Sequence, residues 1–278
     1  MKESKLKLYL FEVILLIILF VALIVSNNMT QPLLALLLFL YMLVVRKTFI
    51  RKQKVSLYAK EILILLTGFA ILYVGSFYLL GLLFYAFNKQ TVVFGIKSII
   101  QNIIPITIII SSSEVIRNIF ITQDGSIKIK KKSIDFAKIF TFANMVLIDM
   151  IVYKGVYNVE TLNGFLGLIG FIICASISCN LFYNYTSKRY GYKGVIAYRL
   201  ITTLYVYLIP VIPNMYIYFR SFLRMTYPFI MYLVMDYAYT KEKYAVSYKD
   251  KKNNVIRVSI VLIISALITM LISCQFKY

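Results

Sequence analysis

Long apolar runs separated by short basic segments dominate this chain. A helix needs roughly 20 apolar residues to cross a bilayer. Runs at or near that length lie at about 8–26, 32–45, 61–87, 97–121, 135–153, 164–184, 195–213, 222–240 and 258–275. The pattern predicts an all-α polytopic transmembrane bundle of about nine spans. Eight spans are the alternative, because the second run is short and the seventh and eighth contain proline.

The composition agrees with a chain whose main solvent is lipid. The 278 residues are 61% hydrophobic and have a mean hydropathy of +0.81. The first run follows Lys2, Lys5 and Lys7, as in a secretory signal, but it is too long for one and is interpreted as a retained signal-anchor. Once the spans are placed, no soluble domain of useful size remains. Residues 1–278 are therefore predicted to form a single integral membrane domain.

The distribution of positive charge predicts the orientation. If the N-terminus is cytoplasmic, 24 of the 31 Lys and Arg residues fall in inside segments and six in outside segments, while Arg117 lies within a span. This asymmetry is the positive-inside pattern, so we expect the N-terminus inside and the C-terminus outside the plasma membrane. The net charge of +20 belongs to these short segments. Nucleic-acid binding, which needs an extended basic surface, is not expected.

The most informative polar residues lie within the fourth run. Thr107, Ser111, Glu114 and Asn118 follow spacings of four, three and four, which place them along one helix face. Arg117 flanks this stripe. Charge inside a membrane span is costly, and it usually marks either a functional site or a structural ion pair. Both interpretations stay open from the sequence, with about equal support.

Other spans also carry charged residues. Glu12, Arg199 and Asp236 lie in the cytoplasmic halves of their predicted helices, at a depth that would let them meet Glu114. A common cluster is one possibility, but for Arg199 and Asp236 the slightly preferred interpretation is that their side chains reach out to the membrane surface. Asp149 is predicted to lie in the outer half of the fifth helix. Asp149 is expected to lie too far toward the outer end of its helix to contact Glu114, and therefore to need its own partner or a water-filled cavity.

Prolines interrupt the seventh and eighth runs. Pro210, Pro213 and Asn214 end the seventh run, and Pro228 lies within the eighth. Proline removes a backbone donor, so these residues are expected to break or kink their helices. They predict a bent lip at the outer end of the bundle.

Two structures are possible for the segment between the fourth and fifth runs. Asp124 and Gly125 stand beside the alternating residues 127–130, a pattern compatible with a short hairpin at the membrane surface. A solvated charged loop is the preferred interpretation, by about two to one.

Catalytic chemistry has little support. The chain has no histidine, which removes the commonest general base and metal ligand. Its three cysteines are too few and too badly spaced for a zinc site or a disulfide framework. The serines at 111–113 have no base within their span to activate them. We predict no catalytic residue, no metal site and no cofactor.

A set of scattered residues between 61 and 240 supports one resemblance. The set is Phe87, Asn88, Gly95, Asn102, Glu114, Arg117, Tyr198, Arg199, Pro210, Pro213, Asn214, Pro228 and Tyr232. It resembles the multi-helix membrane region associated with archaeal-type signal peptidases. Such peptidases carry their catalytic residues on an extracytoplasmic β-rich domain, which this chain lacks. The resemblance implies a catalytically empty accessory protein or scaffold that acts beside a separately encoded peptidase.

Three functions follow in order of support. The first is a non-catalytic membrane scaffold or accessory subunit, held together by the buried pair of Glu114 and Arg117. The second is a small transporter or a lipid- or polysaccharide-handling protein with a polar path through the membrane. The third, an intramembrane hydrolase, is disfavoured because the catalytic partners are missing. The predicted partners are the lipid bilayer and another membrane protein, such as a signal peptidase.

Overall fold

The computed structural model describes residues 2–24, 30–49, 57–89, 95–123, 126–129, 132–153, 162, 165, 168–215 and 217–239. The ninth apolar run and the basic segment before it lie outside the described residues. The choice between eight and nine spans therefore stays a prediction.

Each of the first eight apolar runs contains a helix, so the prediction of a predominantly helical chain is confirmed. The helices are α1 (Lys2–Ile24), α2 (Thr30–Thr48), α3 (Ala59–Phe84), α4 (Ile104–Thr122), α5 (Phe136–Val152), α6 (Ala175–Tyr190), α7 (Lys193–Leu208) and α8 (Ile217–Tyr239). A short turn, Ile96–Ser98, and a π-helical segment, Ile99–Ile103, lead into α4. A second π-helical segment, Leu168–Cys174, leads into α6.

The described helices suit a membrane in both length and surface. Four segments are long and apolar enough to cross one: Lys5–Ile24, Gln31–Thr48, Ala59–Phe84 and Ile99–Thr122. Ile64 and Leu82 of α3 are 72% and 71% exposed, whereas Glu114 and Arg117 of α4 are completely buried. Long apolar helices with exposed apolar side chains suit a hydrocarbon solvent, and charged residues in such helices face the interior of the bundle.

The helices form two halves, each with its own apolar core. The first half consists of α1, α2, α4 and α5, and residues such as Leu15, Leu38, Ile116 and Met145 fill its core. The second half consists of α3, α6, α7 and α8. Within the halves, α2 packs on α4, α1 on α5, α3 on α7 and α6 on α8, while α4 and α5 also touch α6 across the boundary. The boundary between the halves therefore lies along α4 and α5 on one side and α6 and α7 on the other.

Two short strands connect the ends of α3 and α7. Strand β1 (Phe87–Lys89) pairs antiparallel with β4 (Val211–Pro213), with Phe87 opposite Pro213. Helix α7 ends at Leu208 and Ile209 is extended, as expected for the residue before a proline. The prediction that Pro210 ends the seventh helix is confirmed. Asn214 extends the pairing, because its backbone N–H donates to the carbonyl of Ala86 at 2.8 Å.

The segment between α4 and α5 forms a hairpin. Strand β2 (Ser126–Ile129) pairs antiparallel with β3 (Lys132–Asp135), with Ser126 opposite Asp135. The preferred prediction of a solvated loop is therefore wrong, and the predicted hairpin pairing is correct, while its position at a membrane surface stays a prediction. Residues 126–129 and 132–135 satisfy backbone groups through strand pairing, which a loop would leave to water.

Pro228 does not break its helix, so of the two outcomes predicted from the sequence, a break or a kink, the break is wrong. Helix α8 continues from Ile217 through Pro228 to Tyr239. A proline leaves the carbonyl four residues earlier without its helical donor, and here that carbonyl belongs to Arg224. The Sγ of Cys179 donates to it at 3.7 Å, and Ser178 Oγ donates to the next carbonyl, that of Met225, at 3.1 Å. Side chains of α6 thus satisfy the backbone groups that proline disturbs, which permits proline inside a membrane helix.

Substitution of Gly81 by alanine is expected to destabilise the protein. An added Cβ would lie 2.3 Å from Cγ of Pro213, so β4 would have to move, at a cost of about 1–3 kcal/mol. Gly75 of the same helix is the matched control, because its Cβ would meet no atom within 4 Å. Thermal unfolding in detergent, followed by circular dichroism, should show a lower midpoint for Gly81→Ala and an unchanged or higher one for Gly75→Ala. Equal midpoints would contradict the close approach of α3 and β4.

Candidate functional site

The charged pair of α4 faces the boundary between the two halves. Glu114 and Arg117 are one helical turn apart, and Oε2 of Glu114 lies 3.0 Å from Nε of Arg117. Both side chains are completely buried. Neither atom makes an aligned hydrogen bond, so this contact is an ion pair and the remaining atoms of both groups are available to other helices.

Those atoms close a ring of five residues across four helices, here called the charge ring. Arg117 Nη2 donates to Asn180 Oδ1 at 2.5 Å, and Asn180 Nδ2 donates to Asp149 Oδ2 at 2.8 Å. Arg199 then bridges the two carboxylates, because its Nη2 donates to Asp149 Oδ1 at 2.5 Å and its Nη1 donates to Glu114 Oε1. Glu114, Arg117 and Asp149 belong to the first half, and Asn180 and Arg199 to the second. The charge ring therefore joins the halves.

Neighbouring polar groups complete the coordination of the charge ring. Ser176 Oγ donates to Asp149 Oδ2 at 2.5 Å, and Arg117 Nη1 donates to Asn184 Oδ1 at 3.0 Å. Arg199 Nη1 also approaches Ser113 Oγ at 3.5 Å. All four carboxylate oxygens of the ring thus face a cation or a hydrogen-bond donor. This satisfaction matters because an unpaired buried charge costs several kcal/mol.

An aromatic ring lies beside both guanidinium groups. The Cζ atoms of Arg117 and Arg199 lie 5.3 and 5.5 Å from the centroid of the Tyr183 ring. Both distances fall within the range of a cation–π contact, which is strongest when the cation is desolvated. Tyr183 therefore helps to hold two arginines near each other while the carboxylates balance their charge.

The structure brings Arg199 to Glu114, although its side chain was expected by slight preference to reach the membrane surface, and it also brings in Asp149. Asp149 was expected to be too far along its helix, yet it pairs with Arg199. Depths counted from predicted helix ends assume that all helices start at one level and ignore the reach of an arginine side chain. The Arg199 guanidinium spans both carboxylates, which removes the apparent separation.

Other predicted site residues lie outside the charge ring. Asp236 of α8 accepts a hydrogen bond from the Tyr185 hydroxyl at 3.2 Å, beside Arg189. Glu12 of α1 accepts from Thr141 Oγ1 at 2.6 Å, in the interior of the first half. Of the residues that could have formed a common cluster, Arg199 joins Glu114, whereas Glu12 and Asp236 do not, because α8 brings Asp236 to the end of α6 rather than to its middle.

The remaining residues of the α4 stripe have separate roles. Asn118 Nδ2 donates to the backbone carbonyl of Ser187 at 2.7 Å and to its Oγ at 3.2 Å, which ties α4 to α6. Thr107 Oγ1 donates to the carbonyl of Ile103, in the π-helical segment that leads into α4, at 2.7 Å. Ser111 is half-buried. Glu114 and Asn118 are therefore the members of the stripe whose side-chain hydrogen bonds tie α4 to other helices.

A partner stripe on α6 was not predicted from the sequence. Its members are Ser176, Asn180, Asn184 and Ser187, at spacings of four, four and three. These spacings place the four side chains on one helix face, as in the stripe of α4. Two polar stripes on separate apolar helices would have indicated a shared boundary, but neutral side chains gave a weaker signal than the charges did.

A cavity of about 360 Å³ lies directly against the charge ring. Gln31, Asn102 and Asp149 line it from the first half, and Arg199, Arg220 and Arg224 from the second. Six of its described lining residues are tyrosines, including Tyr153 and Tyr183. The Arg224 guanidinium carbon lies 3.7 Å from the centroid of the Tyr153 ring. The described charged residues of the lining are thus three arginines and one aspartate, and that aspartate is already paired with Arg199.

The described residues give no metal centre. No group of three His, Cys, Asp or Glu side chains within them is placed to hold a metal ion. The expectation of no metal and no cofactor stays a prediction.

Comparisons of this chain with protein-family models, with curated proteins and with solved structures find no match. The site is therefore interpreted from its own geometry. The resemblance to the membrane region associated with archaeal-type signal peptidases stays a prediction.

Removal of the Arg199 guanidinium is expected to cost about 3–5 kcal/mol of stability, because it leaves two buried carboxylates with one cation. The variant Arg199→Met keeps the length of the side chain. Arg189→Met is the matched control, because Arg189 is exposed and lies outside the charge ring. Unfolding free energies in detergent should fall for the first variant and change little for the second.

A double variant separates charge balance from packing. Adding Asp149→Asn to Arg199→Met restores neutrality, since Glu114 and Arg117 then compensate each other. The free energy of unfolding that the double variant loses should be smaller, by at least about 1 kcal/mol, than the sum of the losses in the two single variants. Additive losses would mean that Asp149 and Arg199 are not coupled.

Proposed function

We propose that this chain is a multi-pass protein of the plasma membrane that acts as a non-catalytic scaffold or accessory subunit. The charge ring is the observation that carries the proposal. Its two acids and two arginines bind one another across α4, α5 and α7, so these buried charges serve helix association. A catalytic acid or base would instead need its proton-exchanging atoms directed at a substrate.

We propose nine spans with the N-terminus in the cytoplasm and the C-terminus outside. The β2–β3 hairpin would lie on the cytoplasmic side and the β1–β4 pair on the outside. Helix ends on the hairpin side carry basic residues, including Arg46 of α2, Lys60 of α3, Arg189 of α6 and Lys193 of α7. Basic residues concentrate on the cytoplasmic side of membrane proteins, which supports this orientation.

The proposed partner is another membrane protein, and a signal peptidase is the first to test. The motivation is the resemblance in sequence. The β1–β4 pair supports this choice, since a rigid outer end of the bundle would present a fixed surface on the side where such peptidases carry their catalytic domain.

A second candidate function is transport or handling of a small anionic or lipid-linked molecule. The cavity between the halves favours it, because a polar cavity within a helix bundle is a common place for a ligand. In this case Arg199 and Asp149 would line the path as well as hold the helices.

Cysteine labelling tests the orientation. In a background with Cys174, Cys179 and Cys274 replaced by serine, Asn88→Cys on β1 should react with a membrane-impermeant maleimide in intact cells. Ser126→Cys on β2 should react only after the membrane is permeabilised. The opposite pattern would reverse the proposed topology, and equal labelling of both would contradict a membrane-spanning arrangement.

The substitution Glu114→Gln separates the two candidate functions. If the protein is a scaffold, the Glu114→Gln variant should have a lower melting temperature, because the charge ring loses one negative charge. Less of a co-expressed signal peptidase should then be recovered with the purified variant. Glu61→Gln, at the start of α3 and outside the ring, is the matched control. It should change neither the thermal stability nor the recovery of the peptidase.

The other outcomes of this experiment are informative as well. A stable, fully folded Glu114→Gln protein with normal partner recovery would count against the scaffold. If that stable protein also lost solute flux in vesicles, the second candidate would replace the first.

A further inference from the structure

An apolar groove on the outside of the bundle lies close to the cavity between the halves. The groove has a volume of about 270 Å³ and is lined by residues of α2 and by the start of α4, namely Pro32, Leu36, Phe39, Ile100, Ile104 and Ile108. Gln31 lines the cavity and the adjacent Pro32 lines the groove. Asn102 likewise lines the cavity between groove residues Ile100 and Ile104. The two spaces therefore lie close together, near the N-terminal ends of α2 and α4.

The groove opens on the face of the bundle that hydrocarbon would contact. Leu36 is 56% exposed and Ile100 58% exposed. Its lining is almost entirely apolar, in contrast to the arginines and tyrosines of the cavity. An occupant that fills both spaces must have an anionic polar end and an aliphatic end.

Arg220 supplies the clearest binding capacity within the cavity. Among the described residues its guanidinium makes one hydrogen bond, a 3.3 Å contact from Nη2 to the carbonyl of Pro213, and its Nε makes none. A guanidinium has five N–H donors in a geometry that matches a phosphate. Basic pockets between membrane helices are a known type of site for anionic lipid headgroups.

We propose that this protein binds an anionic phospholipid, with the headgroup in the cavity between the halves and one acyl chain in the groove between α2 and α4. The opposite charge of the headgroup and the cavity, and the proximity of the cavity to a groove that faces hydrocarbon, support this occupant. The inference rests on the proposed insertion of the chain in a bilayer and not on the scaffold role.

The absence of tryptophan from the chain makes the proposal testable by fluorescence. Phe39→Trp places a single tryptophan in the groove. Phe229→Trp places one on the exposed surface of α8, a similar number of residues from the β1–β4 end of the bundle, as the matched control. Each variant is reconstituted in phosphatidylcholine that contains a small fraction of phosphatidylglycerol, with brominated acyl chains on one lipid or the other.

Brominated phosphatidylglycerol should quench the fluorescence of the Phe39→Trp protein with a relative binding constant about tenfold above that of brominated phosphatidylcholine, which corresponds to about 1.4 kcal/mol. The Phe229→Trp protein should show no more than about a twofold preference. Adding Arg220→Gln should remove most of the preference at position 39, whereas adding Arg189→Gln should leave it unchanged. Melting curves establish that each variant is folded. If the Phe39→Trp protein does not fold, Leu36→Trp provides a second tryptophan in the groove.

Two results would overturn the proposal. Equal preference at positions 39 and 229 would show only general attraction of anionic lipid to a basic protein. No preference at position 39, together with stabilisation of the protein by inorganic phosphate, would show that the cavity takes a free anion. Failure of the bilayer insertion itself would appear separately, in the labelling of Asn88→Cys and Ser126→Cys.

Discussion

The pairing of two buried carboxylates with two buried arginines holds this helix bundle together. Apolar contacts build each half separately, but side chains as apolar as lipid gain little by leaving lipid for each other. The charge ring supplies a reason for the halves to associate, because Glu114 and Asp149 on one side need Arg199 on the other. Separation of the halves would expose these groups to hydrocarbon, so the ring fixes their relative position strongly.

The cavity lies beside the same arrangement, and arginines and tyrosines line it. Asp149 and Arg199 belong to both the ring and the cavity wall. A ligand in the cavity would therefore contact the ion pair that joins the halves, and its binding would directly affect how strongly the halves associate.

Backbone irregularities occur where neighbouring elements compensate for them. The carbonyls that Pro228 disturbs are satisfied by Ser178 and Cys179 of α6. Pro213 approaches α3 closely because Gly81 has no side chain there. Neither compensation is visible from local sequence. The same residue type therefore interrupts one helix, before Pro210, and leaves another continuous, at Pro228.

The sequence by itself determined the helical class, the positions of the first eight helices and the importance of Glu114 and Arg117. Hydrophobic run length and the cost of intramembrane charge are local properties, readable without a fold. Only the tertiary structure decided which charges meet, since the stagger of the helices and the reach of Arg199 brought in Asp149 and left Asp236 outside. It also decided the role of Asn180, because the importance of this neutral amide comes from its hydrogen bonds to Arg117 and Asp149.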